Sequence, residues 1–121
     1  MAPIKSPKAS SAADCKTLEQ LPNVGPAMAG DLRGLGIHQP GDLLGRDPLA
    51  LYRGLERHTG KRQDPCVLDT FMAVVDFMQG AAPKPWWAYT AERKRVHGLL
   101  HPPAHEQWRA PASPAASAPP A

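Results

Sequence analysis

LEQLPNVGPAMAGDL, at residues 18–32, indicates two short helical segments joined by a tight turn. Thr17 is a suitable N-cap for the first segment, which we expect to end at Leu21. Pro26 suits the first position of the second segment, because its ring fixes a helical φ and its missing N–H is not needed there. Apolar residues recur at helical spacing as far as Leu35, so the second helix is expected to end there.

Similar start and stop signals recur along the chain and predict three more helices. A one-turn helix is expected at residues 42–44, a longer one at residues 47–59, and the longest from Asp64-Pro65 to Gly80. On the longest helix the solvent side is expected to carry Asp69, Ala73 and Asp76. The sequence therefore predicts an all-α domain with five main helices. The aromatic residues that follow are expected to fold back over its core, namely Trp86, Trp87 and Tyr89.

Composition limits this domain to the middle of the chain. The 121 residues include 15 prolines, most of them near the two ends, and segments rich in Pro, Ala and Ser cannot bury enough apolar surface to fold. We expect a disordered arm at residues 1–15, one domain at residues 16–90, and a basic, then Pro/Ala-rich, disordered tail at residues 91–121. Residues 17–90 hold seven Lys and Arg against eight Asp and Glu, so their net charge is −1 and the excess positive charge lies in the ends.

Several classes of function are disfavoured by the same sequence. No run of eighteen apolar residues or signal-peptide pattern exists, which predicts a cytoplasmic protein without a membrane partner. Two cysteines, Cys15 and Cys66, are too few for a disulfide framework, and no Cys or His pair has zinc spacing. Cys66 is expected to be a buried small hydrophobe, although a helix N-terminus can lower a thiol pKa. The small size and the lack of a nucleophile or acid–base motif predict a protein that is not an enzyme.

The turn at residues 23–25 resembles the helix-hairpin-helix motif, in which two short helices flank a turn of Gly, an apolar residue and Gly. Val24 would anchor the turn in the core, and Gly25 would let a phosphate reach the backbone. Asn23 replaces the first glycine, and Asn tolerates the left-handed conformation best after Gly. The resemblance implies DNA-phosphate contacts by the amides of Gly25, Ala27 and Met28, with Asn23 beside them. It also implies a monovalent cation, K⁺ or Na⁺, held by the main-chain carbonyls of Glu19, Leu21 and Val24.

A second, weaker match to the motif lies at residues 43–48. Two such units packed together form the usual small helix-hairpin-helix (SAM-like) domain. Asp47 would put a carboxylate at the second anion site, so this unit is expected to be structural. A basic helical face could supply a second phosphate contact or could simply be a solvated face. Its residues are Arg53, Arg57, Lys61 and Arg62.

The wider pattern resembles the small bacterial helix-hairpin-helix proteins labelled pathogenicity-locus or mitomycin-resistance proteins. The resemblance covers residues 16–90 and rests on LEQLPNVGPAMAGDLRGLGI, GDLLGRDPLALY, TGKRQDPCVLDTFMAVV and PWWAYT. It implies a module that binds double-stranded DNA without sequence preference, in repair or damage tolerance, alongside a DNA-processing protein. The alternative is a protein–protein interaction domain with the same fold and no DNA binding, which the charge of residues 17–90 favours.

Overall fold

The computed structural model describes residues 8–98, and these residues form helices and turns without a strand. The predicted all-α class is confirmed. The α-helices are α1 (Pro26–Gly34), α2 (Pro48–Thr59), α3 (Pro65–Met78) and α4 (Thr90–His97). Short 3-10 turns lie between or before them, at Ala12–Asp14, Leu18–Gln20, Pro40–Leu43 and Trp86–Tyr89.

The described residues thus contain four α-helices rather than the five main helices expected. The expected first and third helices are single 3-10 turns, at Leu18–Gln20 and Pro40–Leu43. Each is too short to form a run of α-helical bonds between residues four apart, so bonds between residues three apart replace them. α4 lies in the basic tail, where the sequence indicated at most a single helical turn at residues 91–100.

The predicted starts of α1, α2 and α3 are correct because local chemistry sets them, whereas the one-turn helix expected at residues 42–44 begins at Pro40. The Asp47 carboxylate accepts a hydrogen bond of 3.2 Å from the N–H of Leu49, and the Asp64 carboxylate accepts one of 2.8 Å from the N–H of Cys66. Both acids therefore cap helices that begin with proline. Gly60, with φ +68°, ends α2 in the left-handed conformation that glycine adopts without strain.

α3 is the central helix of the core, and its predicted solvent side is wrong at two positions. Asp69 is fully buried and Ala73 is nearly so. At Asp69 the reason is that α4 covers it: Arg93 Nε and Thr90 Oγ1 each donate a hydrogen bond of 2.8 Å to the Asp69 carboxylate. The buried ion pair attaches α4 to α3.

The packed region extends beyond residues 16–90 at both ends. Before it, Ala9 and Cys15 are buried, and the Ala9 N–H donates a hydrogen bond of 2.9 Å to the carbonyl of Gln20. After it, α4 packs on α3 through Arg93. Residues 1–7 and 99–121, including most of the tail expected to be disordered, lie outside the described residues.

Candidate functional site

The turn at residues 21–25, here called the Asn23 turn, joins the 3-10 turn Leu18–Gln20 to α1. Asn23 adopts the left-handed conformation with φ +67°, as expected for the residue that replaces glycine. Val24 is 1% exposed and anchors the turn in the core, which confirms its predicted role. Gly25 has φ −97° and ψ −176°, which is extended backbone that any residue adopts. The positive φ that the motif requires is therefore at Asn23 alone of these three residues.

The amino end of α1 is open to solvent. Gly25 is the N-cap, and no side chain of the described residues caps the helix there. The first helical hydrogen bond runs from the N–H of Ala29 to the carbonyl of Gly25, so the amides of Ala27 and Met28 have no acceptor within the helix. Gly25 and Ala27 are exposed, and a Cβ atom added at Gly25 would meet nothing within 4 Å. Outward-pointing amides at the positive end of a helix dipole attract an anion.

A second turn at residues 43–47, the Gly45 turn, repeats this backbone pattern. Gly45 has φ +77°, the N-cap Asp47 follows two residues later, and Pro48 is the first residue of α2. The difference lies at the cap, since the Asp47 carboxylate accepts the Leu49 N–H and brings its own negative charge. The Asp47 carboxylate thus lies at the amino end of α2, as the sequence predicted.

The side chain of Asn23 binds a distant segment. Its Nδ2 donates a hydrogen bond of 2.8 Å to the carbonyl of Lys84, and its Oδ1 accepts one of 3.2 Å from the N–H of Trp86. The side chain that we expected beside the phosphate amides thus holds the Trp86–Tyr89 turn next to the Asn23 turn. No local sequence signal could have indicated a link across more than sixty residues.

The Trp86–Tyr89 turn packs on α3, as the sequence predicted, but its aromatic side chains are buried to different extents. Tyr89 is buried, whereas Trp86 is 36% and Trp87 is 64% exposed. Their rings are nearly perpendicular, with centroids 5.6 Å apart. Because Asn23 fixes the backbone of Trp86, the pair forms an exposed aromatic surface attached to the Asn23 turn.

The three carbonyls expected to hold a cation do converge, and an ammonium group lies among them. Lys8 Nζ donates hydrogen bonds of 2.9 Å to the carbonyls of Glu19 and Leu21, and a third to the carbonyl of Val24. Sequence reasoning missed Lys8 because it lies in the arm expected to be disordered.

The basic face of α2 lies away from the Asn23 turn. A Cβ atom added at Gly54 would lie 3.5 Å from the Leu35 side chain and 3.8 Å from the Arg57 guanidinium, which places Arg57 near the carboxyl end of α1. The nine residues of α1 span about 12 Å, and this length separates its open amino end from its carboxyl end. Arg53 forms a 2.7 Å ion pair with the buried Glu56. Two further basic residues are exposed after α2, namely Lys61 and Arg62.

The described residues carry a small positive net charge, and some of their titratable groups have shifted pKa values. Residues 8–98 hold twelve Lys and Arg against ten Asp and Glu, a net charge of +2. The hydrogen bond from Arg33 lowers the pKa of Glu19, so this acid is paired at neutral pH.

Burial, followed by the hydrogen bond and charge of Asp64, raises the pKa of the Cys66 thiol to about 11. The start of α3 therefore does not activate Cys66.

Residues 8–98 contain neither a cluster of metal ligands nor a membrane-spanning helix. They contain no group of three or more His, Cys, Asp or Glu side chains that could hold a metal ion. None of the helices in this part of the chain has the length and apolar character needed to cross a membrane.

Comparisons with known proteins agree with the resemblance seen in the sequence. The family model described as "Pathogenicity locus" matches residues 11–95. The "Mitomycin resistance protein McrB" of Streptomyces lavendulae is 42% identical over 86 residues, which cover 71% of this chain and 82% of that protein. No solved structure gave a significant match. The family match covers most of the chain, and the chain therefore belongs to the pathogenicity-locus family.

Proposed function

We propose that this protein is a non-enzymatic module that binds double-stranded DNA without sequence preference. The contacts are hydrogen bonds from the amides of Gly25, Ala27 and Met28 to phosphate oxygens. The observation that carries the proposal is the exposed amino end of α1, which no described side chain caps and where the space around Gly25 is open.

We further propose that the two turns form a paired helix-hairpin-helix arrangement. Support comes from the matched backbone: a left-handed residue at 23 or 45, an N-cap at 25 or 47, and a proline at 26 or 48. The first unit binds the anion, and the second, which Asp47 already caps, has a structural role.

Recognition through backbone amides explains the expected lack of sequence preference. Phosphates are the same at every base pair, so contacts to them position the protein and carry no sequence information. Arg57, near the carboxyl end of α1, would reach a different phosphate from the one that the amides bind. Lys61 and Arg62, which are both exposed, would add to the attraction.

The name of the 42% identical relative supports a setting in DNA damage tolerance, since that protein is named for mitomycin resistance. A DNA-processing protein would be the natural partner of a module that only binds.

The test is a titration of a fluorescein-labelled duplex with the full chain, followed by fluorescence anisotropy at several KCl concentrations. We expect weak binding, equal for two unrelated sequences, with a log–log salt slope of about −2 to −3, because each neutralised phosphate contributes about −0.9. Failure to bind at low salt, a marked sequence preference, or insensitivity to salt would contradict the proposal.

One observation favours the alternative of a protein-interaction domain. Trp87 is 64% exposed beside the Asn23 turn, and exposed tryptophans are common in protein interfaces. A folded protein that fails to bind DNA at low salt would support this alternative.

A further inference from the structure

We propose that Lys8 supplies, from within the chain, the monovalent cation of the Asn23 turn. The family resemblance implies a K⁺ or Na⁺ ion at the carbonyls of Glu19, Leu21 and Val24. In this protein those carbonyls already accept hydrogen bonds from the Lys8 ammonium. The carbonyls suit a cation, and a free ion and the ammonium would compete for the same oxygens.

The Lys8 ammonium has as many N–H donors as there are carbonyl oxygens in the cluster. A lysine ammonium has three N–H donors and no acceptor, and three carbonyl oxygens meet it here. Convergent carbonyl dipoles also replace the hydration shell of K⁺ in selectivity filters, so such a cluster suits either cation. Without a positive charge the three oxygens would face one another uncompensated.

The chain holds Lys8 in position through its neighbour. The Ala9 N–H donates to the carbonyl of Gln20, which lies between two of the three carbonyl residues, and Ala9 is buried. A group attached by so short a segment has a high effective concentration, on the order of millimolar or more. It therefore competes well with free ions for the same oxygens.

The test compares thermal melts of the full chain in KCl and in choline chloride at equal concentration, since choline is too large to enter the carbonyl cluster. No DNA is present, so the result is independent of the proposed function. The variant is Lys8→Met, which removes the charge and keeps the length of the side chain. The matched control is Lys16→Met, because the Lys16 ammonium contacts a single carbonyl, that of Ala13, at 3.1 Å.

We expect the parent and Lys16→Met to have the same Tm in both salts. In choline chloride the Tm of Lys8→Met should be about 4–8 °C below that of the parent, and KCl should restore part of this loss of Tm. If Lys8→Met does not fold in choline chloride, recovery of the fold in KCl supports the proposal.

Four results would overturn the proposal. They are a Lys8→Met variant as stable as the parent in choline chloride, a parent that gains as much from KCl as the variant does, a destabilised variant that KCl does not rescue, and a variant unfolded in both salts.

Discussion

Replacing Gly25 by Asp would give α1 the amino-terminal cap that Asp47 provides for α2. The backbone at Gly25 is extended and a Cβ atom there would meet no atom within 4 Å, so the change introduces neither strain nor a clash. An N-cap Asp is more favourable than Gly by a few tenths of a kcal/mol. The free energy of unfolding should therefore stay the same or rise slightly.

DNA binding should change in the opposite direction. The new carboxylate would accept the amide hydrogen bonds that we assign to phosphate and would repel the phosphate itself. A hydrogen bond to a charged group contributes about 1.5–3 kcal/mol, so the affinity should fall by roughly 10- to 150-fold.

The assay is duplex anisotropy at low salt, with a thermal melt of the same samples. Gly25→Asn is the control, since it caps the helix without a charge and should lose less affinity than Gly25→Asp. A Gly25→Asp variant that is folded and binds DNA as tightly as the parent would refute the reasoning.

Three further predictions concern other parts of the structure. Asp69→Asn leaves the Arg93 guanidinium, 11% exposed, without its carboxylate, and should destabilise the fold by roughly 3 kcal/mol in urea denaturation; an unchanged midpoint would show that the pair is unimportant. In a Cys15→Ser variant, Cys66 is the remaining thiol, and its raised pKa keeps it protonated until about pH 11. Alkylation by iodoacetamide at pH 8 should then be about 100-fold slower than in the urea-unfolded chain, with a rate that rises towards pH 11, and equal rates would contradict the pKa shift. Arg57→Glu should weaken DNA binding at low salt and reduce the salt slope, with a loss of Tm of at most a few degrees because it places a negative charge in the last turn of α2; unchanged affinity would remove Arg57 from the interface.

Helix starts could be predicted from the sequence because they depend on neighbouring residues. Proline at a first helical position and Asp before it act within one turn of chain, and Pro26, Asp47 and Asp64 are where the helices begin or are capped. The left-handed Asn23 and the buried Val24 were predictable for the same reason, since both follow from the local geometry of a tight turn.

Contacts between distant segments could not be predicted. Asp69 has the sequence position of a solvent-facing acid, and only the packing of α4 explains its burial. The hydrogen bonds between the Asn23 side chain and the backbone of residues 84 and 86 depend on how the chain returns to the first turn. Lys8 lies in a segment without apolar periodicity, and a lysine held by carbonyl oxygens leaves no pattern in the sequence.

The most direct test of the phosphate-binding role is a ¹H–¹⁵N NMR titration of the full chain with a short duplex. We expect the amide signals of Gly25, Ala27 and Met28 to shift together as DNA is added and to return as KCl is raised. Leu49, at the matching position in α2, should not move because its N–H already donates to Asp47. Shifts elsewhere in the chain, with those three amides unchanged, would contradict the proposed contact.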